Sequence, residues 1–349
     1  MKYYLKLIFS AFKLGIGFNL FTLLLLTVYT LSIEHYFKPF NFVRNPLFEL
    51  GTAVSGMKIF SDANPRNHSL RPAWAKIEPT FDLFIPEFQL RADWHHPSPR
   101  LERWCKSRNC CAHRIGFTDR RILNFRCFTL DDWYLSNRDF LGSAVDSSVS
   151  FGLDNFLMRL PPGSRVIINE PYMLFADRRS FANFTQWFLT LVAKYPGLNF
   201  EIGIQIHLQV IDSYWYQYHP WLFPALRDFS RTHKVKWGIT EFSIYNRLWK
   251  PRVAYDGSTP ERMRYLKHIE SFIPERLRDA FVAHQAYLLH RAAIDAGATS
   301  FIVWGNFPTT WFAASIEPSF TSTFALWDWE GNPTLMYWAI ARSLHLKSS

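Results

Sequence analysis

Cysteine is nearly absent from this chain of 349 residues: there are 4, Cys105, Cys110, Cys111 and Cys127, all in one short region. Cys110 and Cys111 are adjacent, so the region lacks the Cys-x-x-Cys knuckle of a structural zinc site, and no metal is expected. Outside the cytosol a disulfide would form here, but the spacing does not say which two would pair. There is no repeat of solenoid period, no low-complexity tract and no second linker, so the body reads as one domain. A basic stripe interleaved with a nucleic-acid motif is also missing. Formal net charge is +10, but Lys and Arg are dispersed through segments such as 100–121 and 262–278, the pattern of a solvated face. Neither nucleic acid nor a cofactor is an expected partner.

Long uncharged runs are represented by a single stretch. Residues 15–33, GIGFNLFTLLLLTVYTLSI, carry no charge and follow Lys2, Lys6 and Lys13. That is close to the ~20 residues that cross a bilayer. A secretory signal has a shorter apolar core and an Ala-x-Ala-like cleavage site, and Ser32-Ile33-Glu34-His35-Tyr36-Phe37 offers none. The expectation is an uncleaved signal anchor. Residues 1–37 would be a cytoplasmic stub and transmembrane helix, 38–47 a linker, and 48–349 a folded body held at the membrane on its extracellular, periplasmic or lumenal side. Secretion after cleavage is the alternative. Asn67-His-Ser and Asn183-Phe-Thr would be glycosylation sequons in a eukaryotic secretory pathway.

Aromatic residues, by contrast, are plentiful, at 18% with 14 Trp. This suits stacking on flat ligands such as sugar rings, although many must be core. Tyr214–Trp221, YWYQYHPW, is either a stacking platform or a capping loop, and Trp327 and Trp329 read as core. Phe48–Ser55, Phe81–Leu90, Ile122–Leu130 and Arg165–Glu170 read as strands, the last stopped by Pro171, which cannot donate to a ladder. Phe181–Lys194 reads as an amphipathic helix closed by Tyr195-Pro196-Gly197. In Asn199–Leu208, Ile202, Ile204, Ile206 and Leu208 alternate with Gly203, Gln205 and His207. Aliphatics on one face and small or polar groups on the other suit a barrel strand with helices outside and a functional interior. The strand in Lys234–Asn246, KVKWGITEFSIYN, follows; a helical stretch of roughly 260–296 ends at Gly297, and Thr299–Gly305 is the last strand. Strands alternating with helices predict parallel βαβ units and an α/β fold of the (β/α)8 TIM-barrel type.

The chemistry lies at strand ends. Glu170 and Glu241 each close a predicted parallel strand, and in a barrel those ends converge on one rim. A carboxylate in an apolar run such as Thr240-Glu241-Phe242 is costly unless it is paired or open to a ligand. Two carboxylates flanking one bond are what glycoside hydrolysis needs, one as acid and the other as nucleophile or base. His207, on the inward face between them, would tune one of them by hydrogen bonding.

Asn169-Glu170, Gly203-Ile204-Gln205-Ile206-His207, Ile239-Thr240-Glu241 and Val303-Trp304-Gly305 resemble the successive strand-end motifs of glycoside hydrolase family 10, the retaining endo-xylanases. Gly51–Val54, Pro86-Glu87, Trp311 and Phe324–Tyr337 extend the resemblance over about 48–340. It implies a TIM barrel with Glu170 as general acid/base and Glu241 as nucleophile. Asn169 would bond the sugar 2-hydroxyl, His207 the nucleophile, and Gln205 would support the nucleophile strand. Glu87, Trp304 and Trp311 would line a cleft for a polysaccharide or oligosaccharide.

The departures fall near the cleaved bond. Phe88 and Arg91 stand where the family has Asn and Lys; Phe128, Asp132 and Trp133 replace a His, a Trp and a second His; and Ser243 replaces an Asp. The short span from Glu170 to Gln205 leaves room for one helix where the family has a further strand-helix unit. The expectation is a barrel whose fifth βα unit is lost, abbreviated or hidden in Ala176–Tyr195. A glycan-binding barrel without turnover, or another glycanase of the same clan, remains open on these residues.

Overall fold

The computed structural model describes residues 22–40, 48–54, 74–86, 104–105, 107–114, 126–131, 153–171, 175, 177–209, 220–245, 273–304, 325–328 and 330–345. Eight strands form one sheet: β1 (Glu49–Val54), β2 (Leu83–Pro86), β3 (Ala112–Arg114), β4 (Cys127–Asp131), β5 (Arg165–Pro171), β6 (Asn199–Gln209), β7 (Lys236–Tyr245) and β8 (Ser300–Val303). Their order is β2-β1-β8-β7-β6-β5-β4-β3, and every paired neighbour is parallel. The two ends meet, because Phe84 N donates to Asn109 O and Cys111 N to Phe84 O, both at 2.9 Å. The sheet therefore closes into a TIM-like barrel.

Among the described residues the longer helices outside it are α1 (described over 22–36), α2 (Arg178–Lys194), α3 (Leu222–His233), α4 (Glu275–Asp295) and α5 (Leu335–Leu344). In α2, Phe181, Phe184, Phe188 and Leu191 are buried at helical spacing, and Asp177 caps the first turn by accepting from Ser180 N at 2.8 Å. The sequon residue Asn183 is exposed on this helix, with Thr185 turned inward and its hydroxyl donating to Ala182 O. Gly297, at φ +87°, ends α4 as its position predicts.

The strand count corrects the sequence reading. The fifth unit is not abbreviated or hidden: 177–195 hold α2 and its caps, and β5 pairs directly with β6. The eighth strand is instead β3, three residues long, which carries no apolar alternation from which to predict it. The segment predicted as a third strand is β4, described from Cys127 onward.

Strand alternation sorts side chains into two layers. Val166, Ile168, Ile202, Ile204, Ile206, Trp237, Ile239 and Phe301 face the helices in the main core, together with Phe184, Phe188, Leu226 and Leu289. Ala53, Leu83, Ile85, Cys111, Cys127, Ile167, Ile302 and Trp304 fill the interior. The adjacent cysteines divide accordingly. Cys111 is disulfide-bonded to Cys127 inside the barrel, while Cys110 lies outside with Cys105, whose hydrogen bond, together with burial, pushes the Cys110 thiol up. At the N-terminal ends of the strands, Arg165 bonds Glu49 and Glu201, both at 2.7 Å. Because β1 and β5 lie on opposite sides of the barrel, this ion group spans its floor. Trp327 is buried against Phe81 and Tyr337, a core tryptophan as expected.

The described part of the expected anchor is α1, and no helix among the described residues is long and apolar enough to cross a membrane. Residues 15–21 of the predicted span lie outside the described residues. Leu23, Leu24, Leu25, Leu26, Val28 and Leu31 are exposed. The C-terminal half of α1 is docked on the body. Ile33 and Phe37 pack with Ala280, Ala283 and Ala339, Tyr29 bonds His284 at 2.9 Å, and Glu34 pairs with Arg276. Arg342 lies over the Tyr36 ring at 4.7 Å and over the Phe40 ring at 4.4 Å.

His290 on α4 is completely buried between Phe48 and Phe301. The Ser343 hydroxyl donates to Ile340 O at 2.6 Å, so His290 Nδ1–H must donate to Ser343 Oγ. Nε2 then carries a bare lone pair, with no hydrogen-bond partner among the described residues. Burial, with a smaller push from Arg291, lowers the His290 pKa to about 3. The unfolded chain takes up this proton below its ordinary value near 6.5 while the fold refuses it, so stability is full above that value and is lost as pH falls towards 3. Between pH 7 and pH 5 the expected loss is about 2 kcal/mol. His290→Phe should remove that part of the profile in urea denaturation. A wild-type minus variant difference that stays flat over this range would refute a buried neutral histidine.

Candidate active site

Glu241 owes its position to an irregularity in β7. The β6–β7 register runs Ile204↔Ile239 and then Gln205↔Glu241, so Thr240 is an extra residue, and β7 shifts against β8 at the same place. Trp237, Ile239, Phe242 and Ile244 all remain in the outer core. In a regular strand Glu241 would follow Thr240 onto the helix side. The bulge gives both residues to the interior, the re-aiming that bulges perform next to functional sites. Gly203 makes room for it: a Cβ there would stand 2.4 Å from Thr240 Oγ1.

Glu241 is only 6% exposed, and its carboxylate is bonded at both oxygens. Asn169 Nδ2 donates to Oε1 at 2.7 Å, and His207 Nε2 lies 3.0 Å from Oε2. The Asn169 amide is oriented in turn by the Thr240 hydroxyl, which donates to Oδ1. His207 Nδ1 lies 2.7 Å from Ser243 Oγ. Gln205 Nε2 donates to the Asn169 carbonyl at 3.1 Å, tying the end of β6 to β5. Thr240 and Ser243 were not among the predicted site residues. A signal for the bulge was present in the apolar pattern itself, which runs 237, 239 and then 242, 244, changing phase across Thr240-Glu241.

The other predicted residues are distributed as follows. Glu170 is completely buried at the end of β5, in register with Ile204, two strands along from β7 with β6 between, rather than across the barrel from it. By alternation its position is in phase with Ile168 of the outer layer, and Asn169 is in phase with Ile167 of the interior. Trp304 follows β8 and lines the inner layer beside Ala53 and Ile302. Glu87, Trp311, Phe88, Arg91, Asp132, Trp133 and 214–219 of the aromatic stretch lie outside the described residues. No cluster of His, Cys, Asp and Glu suited to a metal occurs among the described residues.

The barrel with carboxylates at its strand ends has the fold of family 10 xylanase catalytic cores. The catalytic core of a xylanase A superposes with TM-score 0.57 at 13% identity, over 85% of this chain and 98% of that one. A family 10 structure from Paenibacillus barcinonensis gives 0.52 at 13% identity over 87% and 97% of the two chains. Xylanase 10B from Thermotoga petrophila RKU-1, solved with xylobiose, gives 0.52 at 14% over 88% and 98%. No protein-family model matches the chain, and no curated protein matches it by sequence.

Proposed function

We infer that the chain is a glycoside hydrolase that cleaves a β-linked polysaccharide or oligosaccharide of the xylan type with retention. The observation that carries this is the Glu241 carboxylate, presented into the barrel by a bulge and held by two side-chain donors, in a fold shared with xylanase cores. Glu241 attacks the anomeric carbon while Glu170 protonates the leaving oxygen. The glycosyl-enzyme is then hydrolysed by a water that Glu170 deprotonates. Donors on both Glu241 oxygens fix which lone pair faces the sugar. In the free protein Asn169 Nδ2 is on Glu241; with substrate bound it turns to the 2-hydroxyl. Trp304 closes the interior layer beside the site, and the mechanism needs neither metal nor cofactor.

One observation favours a second reading, a glycan-binding barrel without turnover: the register of β5 sets the Glu170 position in phase with the outer layer. A panel of aryl β-xylosides, glucosides, cellobiosides and mannosides separates the two. Turnover of at least one, with the β-anomer formed first by NMR, is the expected result. Binding without turnover across the panel supports the second reading, and an α-product refutes retention.

Residues 1–37 are further proposed to anchor the body at a membrane, outside or in a lumen. The continuous uncharged run, the exposed leucines of α1 and the Cys111–Cys127 disulfide support this placement.

A further inference from the structure

The residue of this site with no assigned part is Ser243. The residue is 1% exposed, its hydroxyl is 2.7 Å from His207 Nδ1, and the far side of the same ring meets Glu241 Oε2 at 3.0 Å. The protons in this chain of three groups follow from what each can do. An ionised carboxylate only accepts, so the bond to Oε2 needs the hydrogen on His207 Nε2. A neutral imidazole with a proton on Nε2 has a lone pair on Nδ1, and a lone pair there requires a donor. Among the groups around Nδ1 whose contacts are described, Ser243 is the one with a hydroxyl hydrogen to give.

We propose that Ser243 is a positioning residue that holds His207 in its neutral, Nε2-protonated form, so that a hydrogen is always presented to Glu241 Oε2. The effect on Glu241 is specific. A carboxylate in place of Ser243 would accept from Nδ1–H and favour a doubly protonated, cationic ring. A cation beside Glu241 would stabilise its negative charge, and that charge is lost when Oε1 or Oε2 bonds a carbon. A neutral donor orients the carboxylate without forming an ion pair that the reaction must then break. Strand geometry makes the arrangement possible: Ser243 is in register with His207 across β6–β7, two residues beyond Glu241 and on the same side. The interior phase of Ser243 therefore depends on the same Thr240 bulge.

The consequence for rate rests on the glycosidase reading, but the tautomer does not, and the test keeps the two apart. The full chain labelled with 15N-histidine is examined by long-range 1H–15N NMR at neutral pH, and His207 is assigned from the cross-peaks missing in His207→Gln. The expected pattern is an unprotonated Nδ1 and a protonated Nε2. In Ser243→Ala the ring should become a mixture of both tautomers, and Ser243→Thr, which keeps the hydroxyl, should return the wild-type pattern. A wild-type ring protonated at Nδ1, or a Ser243→Ala spectrum identical to wild type, overturns the proposal whether or not the protein turns over a glycoside. On whichever aryl glycoside is hydrolysed, Ser243→Ala should lower kcat about tenfold with KM little changed. A KM effect alone would mean that Ser243 merely shapes the cleft. Absence of any turnover would count against the glycosidase reading and leave the NMR result to decide the role of Ser243.

Discussion

Glu241→Gln should abolish hydrolysis of any aryl β-glycoside that the wild-type chain turns over, by on the order of 10⁴-fold or more, the scale seen when a nucleophile acting within a unit is removed. The substitution keeps the size and polarity of the side chain, so the folded barrel should persist. Gln can accept from Asn169 Nδ2 through its carbonyl oxygen, which replaces one of the two existing bonds. Its amide nitrogen then faces His207 Nε2, donor to donor, unless the ring changes tautomer. A modest loss of stability, about 1 kcal/mol, is expected from that mismatch. Far-UV circular dichroism and the urea midpoint separate it from the kinetic effect. Residual activity above about 1% of wild type, in a preparation free of translational misreading, would remove Glu241 from the nucleophile role. Adding azide to a Glu241→Gly variant supplies an external nucleophile, and a glycosyl azide of inverted configuration is the product this assignment requires.

The second large effect is structural. Arg165→Met should cost about 3 kcal/mol at pH 7. Arg165 is about four-fifths buried, and its guanidinium bonds Glu49 Oε2 and Glu201 Oε2, both at 2.7 Å. Burial works against its charge, but Glu201 and Glu49 more than offset this and hold its pKa above the usual arginine range. Removing it leaves two carboxylates near each other at the floor of the barrel with their cation gone, and breaking a buried pair on one side is far more costly than never having built it. The check is the urea midpoint at constant slope. A triple variant, Arg165→Met with Glu49→Leu and Glu201→Leu, should recover most of the loss, because it removes the stranded charges together with their partner. A single-variant loss below about 1 kcal/mol would mean that water already screens the group as it does at a surface.

Much of the barrel was readable because its strands are long and regular. β5 and β6 emerge from Val166-Ile167-Ile168 and from the alternation around Ile204, and His207 is on the interior side that the alternation assigned to it. What was not readable is local and non-periodic. β3 has three residues and two flanking cysteines, too few to show a period of two. The ion group on the floor joins residues 116 and 36 positions apart, and nothing in Arg165, Glu49 or Glu201 alone distinguishes them from exposed charges. The span from Glu170 to Gln205 holds one helix and no further strand, as its length predicts. The additional strand lies before Glu170 rather than after it, so four strands precede β5, and β5 is separated from β7 by β6 alone. The partners of His207 divide in the same way: Glu241 was expected from the resemblance, whereas Ser243 stood out only as a departure from it.

The bulge at Thr240 also bears on how such a barrel changes over time. The bulge is a matter of count, two residues where the neighbouring strand has one, rather than of the identity of Thr240. Any substitution there that leaves the count intact leaves the carboxylate inside. Loss of the Thr240 codon would instead give a regular strand, in which Glu241 takes the interior place of Thr240 opposite Gln205 while Phe242 and Ile244 stay in the outer layer. A deletion at Thr240 therefore costs the hydroxyl that orients Asn169, whereas a deletion at Phe242 or Ser243 would turn Ile244 out of the outer layer.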